Sequence, residues 1–75
     1  MNQYANLSGN SGVVNYDLRD KSIVIQFQDG WKYEYTTESA GELEVAKLKR
    51  LARTGAGLST YISQQVRDKY AHKFR

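Results

Sequence analysis

Residues 22–36, SIVIQFQDGWKYEYT, contain two runs of alternating apolar and polar residues joined by Asp29-Gly30. The apolar members stand at every second position of their run: Ile23, Ile25, Phe27, Trp31, Tyr33 and Tyr35. A period of two is typical of strands that bury one face. Asp-Gly is the strongest short hairpin signal, because glycine accepts the positive φ that a two-residue turn needs. The segment therefore predicts an antiparallel hairpin.

A third strand is predicted just before this hairpin. In residues 13–17, VVNYD, Val14 and Tyr16 share the apolar parity. The connection from Leu18 to Lys21 is long enough for a tight turn, so the three strands form an antiparallel meander. Val13 and Val24 are the only aliphatic residues on the polar parity, where they would make a modest contact patch.

Beyond residue 36 the apolar period changes to that of a helix. Ser39 is predicted as an N-cap with Glu42 reaching back in a capping box, and Thr37 is a competing N-cap. The apolar residues that follow lie at helical spacing: Leu43, Val45, Ala46, Leu48, Leu51 and Ala52. Residues 53–57, RTGAG, end this helix, and a second helix is predicted from about Leu58 to Phe74.

The resulting fold class is α+β, a three-stranded antiparallel meander (β-β-β) followed by two helices packed on one face. In such a fold we expect the rings of Trp31, Tyr33 and Tyr35 to line the core, with the tyrosine hydroxyls at its rim. The alternative is that the helices cover only part of the face. One or two rings would then stay open for stacking, as in RNA-binding sheets.

The 75 residues predict one domain, residues 11–75, after a flexible N-terminal lead-in at residues 1–10. With no cysteine and only His72 as an imidazole, the sequence offers no disulfide and no tetrahedral thiolate or histidine site, so we expect no cofactor or metal. The N-terminus has neither the basic start nor the apolar run of a signal peptide, and no segment has the length of a membrane span. A cytoplasmic location is the expectation.

The motifs of common catalytic sites are absent from the sequence. It has no G-x-S-x-G elbow, no phosphate-binding loop and no H-E-x-x-H motif. Asp68 and His72 stand four residues apart and could touch on the predicted second helix, where a surface pair is the commoner outcome. We therefore expect a protein without enzymatic activity.

The charge is distributed unevenly along the chain. Residues 1–41 hold three Lys or Arg and five acidic residues, whereas residues 42–75 hold eight Lys or Arg and three acidic residues. Six of these basic residues are predicted to contact nucleic-acid phosphates if they form one continuous surface: Lys49, Arg50, Arg53, Arg67, Lys69 and Lys73. The alternative is a solvated surface in which basic residues near helix C-termini compensate the helix dipole.

Protein binding is a second class of function. A three-stranded sheet has two open edges, which can pair with a partner or with a second copy of the chain. We expect a monomer or a weak homodimer. This alternative needs a free edge or an exposed apolar patch and no role for nucleic acid.

Several motifs together resemble the KTSC domain family. They are Val14-x-Tyr16-Asp17, Ile23-x-Ile25-x-Phe27, Gly30 followed by Tyr33-Glu34-Tyr35, and in the second half Leu48, Ala52, Gly57, Tyr61, Ile62 and Tyr70. The resemblance covers about residues 8–70. Before the first strand, residues 8–12, SGNSG, depart from the Ser pair and aliphatic residue that members of the family tend to carry.

KTSC domains are small domains with a central Tyr-x-Tyr motif, found alone in bacterial and phage proteins and at the C-terminus of some lysyl-tRNA synthetases. The resemblance implies that residues 11–75 are a single KTSC-like domain without enzymatic activity. Through the synthetase context it implies RNA as a candidate ligand. Tyr33 and Tyr35, which match the central motif, are the residues expected to stack on a base or to present a hydroxyl.

Overall fold

A computed structural model describes residues 1–9 and 11–75 of the chain. Within these residues the strands are β1 (Asn2–Gln3), β2 (Val13–Leu18), β3 (Ser22–Phe27), β4 (Lys32–Thr36) and β5 (His72–Phe74). The helices are α1 (Thr37–Ala40), α2 (Glu42–Thr54) and α3 (Leu58–Tyr61), and α3 continues into a π-helical segment, Ile62–Val66.

The strands form one antiparallel sheet in the order β1-β2-β3-β4-β5. The α+β class is confirmed, and so is the meander of β2, β3 and β4. The predicted count of three strands is too low, because a short strand is added at each edge. The β3–β4 connection, residues 28–31, is also longer than the predicted two-residue turn: the Phe27 amide donates to the Trp31 carbonyl oxygen at 2.9 Å, and Gly30 takes a φ of 90°.

A β-bulge in β2 changes the face on which Val13 lies. The register with β3 shifts between Val13 and Asn15, so that Val13 pairs with Phe27 on the apolar side and is 1% exposed. Val24 is also 1% exposed. The predicted patch of two valines on the polar face is therefore wrong, because neither side chain is accessible to a partner.

The first residues do more than lead into the domain. Asn2–Gln3 pair with β2, the Tyr4 amide donates to the Val14 carbonyl oxygen at 2.9 Å, and the Tyr4 ring is 3% exposed. The Tyr4 hydroxyl accepts a hydrogen bond from the Leu58 amide at 3.3 Å. The expected lead-in thus supplies a strand and a core side chain, and its last residue, 10, lies outside the described residues.

The helical region begins earlier than the sequence predicted. Thr36, at the end of β4, is the N-cap of α1, and its side chain and that of Ser39 each accept a hydrogen bond from the other residue's amide at 3.0 Å. The predicted box of Ser39 with Glu42 is wrong. Gly41, with a φ of 97°, ends α1 after one turn, and Glu42 begins α2.

The predicted end of α2 is confirmed, but the predicted second helix is too long. Gly55 takes the left-handed conformation, with a φ of 86°, and its amide donates to the Leu51 carbonyl oxygen. The next helical segment ends at Val66, and His72–Phe74 instead pair with β4. Pairing satisfies the backbone groups of an edge that would otherwise be open. Asp68 and His72 therefore do not share a helix face.

The core lies between the sheet and the helices. Its fully or almost fully buried members come from every layer: Tyr4, Val13, Ile23, Ile25, Tyr35, Leu48, Ala52, Leu58, Ile62 and Val66. Within residues 1–9 and 11–75, none of the helices combines the length and apolar character needed to cross a membrane.

Candidate nucleic-acid interface

The three rings of residues 31–35, one just before β4 and two within it, are buried to different degrees. Tyr35 is 0% exposed, whereas Tyr33 and Trp31 are half-buried. The helices thus cover the end of β4 that leads into α1 and leave the hairpin end partly open. Tyr35, predicted as a stacking residue, has no exposed surface to offer a ligand, whereas Tyr33 and Trp31 keep part of theirs.

Two basic side chains lie over these half-buried rings. The Lys73 Nζ atom is 4.8 Å from the centroid of the Trp31 ring and 5.3 Å from that of Tyr33. The Arg75 Cζ atom is 4.5 Å from the Trp31 centroid. Tyr33 and Lys73 are register partners in β4 and β5, so both side chains emerge on the same face. We call Trp31, Tyr33, Lys73 and Arg75 the aromatic–cationic patch.

A cleft of about 270 Å³ opens beside the patch, with Tyr33 as a shared wall. We call it the Tyr33 cleft. It is lined by Phe27, Asp29, Tyr33, Tyr35, Ser59, Ile62, Ser63 and Arg67.

Each wall of the Tyr33 cleft follows from a local feature of the chain. Phe27 ends β3 and meets Tyr33 edge to face, with ring centroids 5.3 Å apart. Opposite them, Ile62 begins the π-helical segment, whose wider turn is closed by a hydrogen bond from the Arg67 amide to the Ile62 carbonyl oxygen at 2.7 Å. Single π-helical turns occur often at functional sites. Here the turn brings Ser63 and Arg67 to the rim of the same cleft.

Burial raises the pKa of the Tyr35 hydroxyl well above its ordinary value, and the nearby Tyr33, Tyr70 and Asp68 add to the shift. The group is therefore neutral at ordinary pH and serves as a donor. It donates to the Arg67 carbonyl oxygen at 3.3 Å, at the point where the chain leaves the π-helical segment. Its contribution to the cleft is thus to position Arg67.

The predicted phosphate contacts do not gather at one place. Lys49 Nζ donates to the carbonyl oxygens of Arg19 and Asp20, at 2.5 and 3.0 Å, in the β2–β3 turn. Arg67 lines the cleft next to the β3–β4 turn. These turns lie at opposite ends of β3, whose six residues span about 17 Å. Lys49 and Arg67 therefore belong to different surfaces.

The other predicted contacts have separate environments. Arg50 is exposed beside a shallow depression lined by Leu43, Ala46 and Lys47. Arg53 is exposed in the last turn of α2, where a positive charge compensates the helix dipole. Lys69 is exposed in the turn after Val66. Of the six, the structure brings Lys73 into the aromatic–cationic patch and Arg67 into the adjoining cleft.

Arg75 was not among the predicted phosphate contacts, and Trp31 was named only with Tyr33 and Tyr35 as one of the rings that would stay open for stacking in the alternative fold. The signal was the alternation in residues 72–75, HKFR, which puts Lys73 and Arg75 on one parity of a strand. This alternation was not interpreted as a strand because the second helix was predicted over the same residues. No group of His, Asp and Glu side chains in the described ranges 1–9 and 11–75 could hold a metal ion.

Comparisons with protein-family models, with curated proteins and with solved structures found no match to this chain. The resemblance to KTSC domains therefore stays a prediction, and the case for a function rests on the geometry of the patch and the cleft.

Proposed function

We propose that this chain is a non-catalytic module that binds single-stranded nucleic acid, with RNA as the first candidate, through the aromatic–cationic patch. The observation that supports this most directly is the placement of two cations, Lys73 and Arg75, within 5 Å of the centre of one half-buried Trp31 ring. Aromatic faces beside a basic groove are the usual means of binding single strands.

The chemistry of the patch suits both parts of a nucleotide. Lys73 and Arg75 can pair with phosphates, and a base can stack on the Trp31 ring or on the planar guanidinium of Arg75. Stacking on an aromatic residue contributes about 1–3 kcal/mol per base. The basic residues of α2 would add long-range attraction without direct contact, since net charge attracts an anion over a Debye length.

The test is fluorescence anisotropy of labelled single-stranded RNA and DNA over a series of salt concentrations. We expect affinity to fall with a log–log slope of about −2, because a few phosphates are neutralised. Two variants reverse two positive charges each: K73E/R75E in the patch and R50E/R53E on α2. We expect the first to abolish binding and the second to weaken it by a few fold.

An equal loss of affinity in the two double variants would show that binding depends on net charge and not on the patch. This result would contradict the proposal. Lack of binding at low salt, where electrostatic attraction is strongest, would exclude a nucleic-acid role altogether. A further variant, W31L, keeps an apolar side chain and removes the stacking face, and we expect it to lower affinity at every salt concentration.

A second candidate function is protein binding at α2. The Leu43 side chain is 85% exposed and borders the depression formed with Ala46, Lys47 and Arg50. An exposed leucine framed by two cations fits an apolar segment that carries acidic residues. Sedimentation analysis of the wild type and of L43E would test the self-association form of this candidate. An unchanged monomer in both would exclude that form.

A further inference from the structure

We propose that the Tyr33 cleft takes one base of the bound strand and selects bases that carry an exocyclic amino group, with Asp29 as the acceptor. This inference rests on the proposed function, since the patch would hold the strand while the cleft reads one of its bases. It assigns a selecting role to a turn residue that neither charge clustering nor the Tyr-x-Tyr motif had singled out.

The size and walls of the cleft suit a single base. Its volume of about 270 Å³ is just below the range of about 300–1,000 Å³ of sites that take whole drug-sized molecules. Phe27 and Tyr33, whose rings meet at 86°, and Ile62 supply the apolar surface of the cleft. A flat aromatic ligand can pack on this surface, and the polar groups at the rim are left to contact its edge.

Asp29 supplies the selective chemistry. Its Oδ1 atom accepts a hydrogen bond from the Trp31 amide at 3.0 Å, which holds the carboxylate in the β3–β4 turn. An ionised carboxylate accepts several hydrogen bonds and donates none. It therefore accepts from the amino group of cytosine, as carboxylates do in base readout. Uracil presents a carbonyl oxygen at the same place, which a carboxylate facing C4 repels, and its nearest donor is the N3–H of the next ring position.

The two serine hydroxyls of the cleft do not discriminate between these bases. Ser59 and Ser63 carry hydroxyls that either donate or accept, so they adapt to both. The Arg67 guanidinium is positive and suits the phosphate that follows the inserted base. Asp29 is thus the lining acceptor that favours the amino group of cytosine over the C4 oxygen of uracil, whereas Arg67 only donates.

The patch and the cleft are close enough for one strand to reach both. Trp31 and Tyr33 are two residues apart on one face of the sheet, about 6.6 Å along the strand. Tyr33 itself faces Lys73 and also lines the cleft. A nucleotide stacked at Trp31 therefore has its neighbour at the entrance of the cleft.

The experiment compares labelled rC12 and rU12 with the full chain at pH 7.5 by anisotropy. Both are single strands whose bases differ at C4, an amino group in cytosine and an oxygen in uracil, and at N3, an acceptor in cytosine and a donor in uracil. We expect the wild type to bind rC12 at least fivefold more tightly, within the range of discrimination that a base contact gives. In D29N the ratio should fall to within twofold, because the amide also donates to uracil while its oxygen still accepts from the Trp31 amide.

A second pair of variants tests the cleft without touching Asp29. Ser63 is exposed at the rim of the cleft, and S63W would fill it from outside the core. Thr60 is exposed on α3 and does not line the cleft, so T60W is the matched control. We expect S63W to lose the preference for rC12 while keeping the salt dependence, and T60W to keep both.

The possible results separate the two proposals. Salt-dependent binding with equal affinity for rC12 and rU12 would overturn the selecting cleft and leave the patch proposal standing. If S63W keeps the wild-type ratio of affinities for rC12 and rU12, the selecting cleft is likewise overturned and the patch proposal stands. Absence of binding to either oligonucleotide at low salt would overturn both.

Discussion

The Tyr35 hydroxyl lies 3.3 Å from the carbonyl oxygen of Arg67, to which it donates a hydrogen bond across 32 positions of sequence. It joins the most deeply buried ring of β4 to the residue that follows the π-helical segment. Through this bond the sheet fixes where the chain turns towards β5. The same bond sets the position of Arg67 at the rim of the Tyr33 cleft.

We expect Y35F to destabilise the protein by about 1 kcal/mol at pH 7, because one hydrogen bond is removed while the ring is kept. The free energy of unfolding from urea titration would measure this. The larger Y35A change should cost about 3–5 kcal/mol through the cavity it leaves. Equal stability of Y35F and the wild type would mean that the bond contributes nothing to the fold.

The raised pKa of Tyr35 makes stability depend on alkaline pH. Because the folded state holds the proton more tightly than the unfolded state, whose tyrosine pKa is near 10.0, the contribution is complete below pH 10 and is lost as pH rises above it. Between pH 9 and pH 11 we expect the free energy of unfolding to fall more in the wild type than in Y35F, which lacks this group. Urea titrations of both proteins at the two pH values would check this, and parallel losses would contradict it.

Tyr4 should contribute more to stability than its place near the N-terminus would indicate. Its ring is 3% exposed and its hydroxyl accepts from the Leu58 amide, so we expect Y4A to cost about 3–5 kcal/mol. Leu7, three residues later and 72% exposed, is the control, and L7A should cost well under 1 kcal/mol. Thermal unfolding of the two variants would show the contrast. Similar melting temperatures of Y4A and L7A would show that residues 1–9 only lead into the domain and contribute little to its stability.

Both the backbone conformation and the neighbouring atoms at position 55 require glycine there. A Cβ atom at this position would lie 2.7 Å from the Cβ of Ala5, and φ is 86°. Gly30 has a similar φ of 90°, but a Cβ atom added there would have no neighbouring atom within 4 Å. We expect G30A to cost about 1–2 kcal/mol for the left-handed conformation alone, and G55A to cost clearly more. Equal costs in urea unfolding would show that the Ala5 contact relaxes freely.

The capping box at α1 gives a prediction that separates the observed cap from the one expected from sequence. Thr36 and Ser39 each bond the other's amide, so T36A should cost about 1 kcal/mol and S39A a similar amount. T37A, at the competing position, should change stability by less than about 0.5 kcal/mol. A T37A cost as large as that of T36A would favour the alternative cap.

The sequence was sufficient to predict those helices, strands and turns whose position depends on residues close to one another in the chain. The β2–β3–β4 meander follows from a period of two and from Gly30, and the end of α2 follows from Gly55, because each depends on neighbours within a few residues. The same reasoning erred at Ser39. Several residues there could cap a helix, and the end of β4 at Thr36 decided between them.

The candidate site depended on contacts that sequence spacing does not contain. Residues 58–74 have an apolar stripe of helical period, yet His72–Phe74 pair with β4 because the sheet offers an unpaired edge. That pairing is what places Lys73 and Arg75 over Trp31. The sequence alone thus determined an α+β chain with aromatic residues on one strand face and a basic second half. Tertiary structure decided which rings stay accessible and which cations meet them, since backbone hydrogen bonding between distant segments overrides local helical preference.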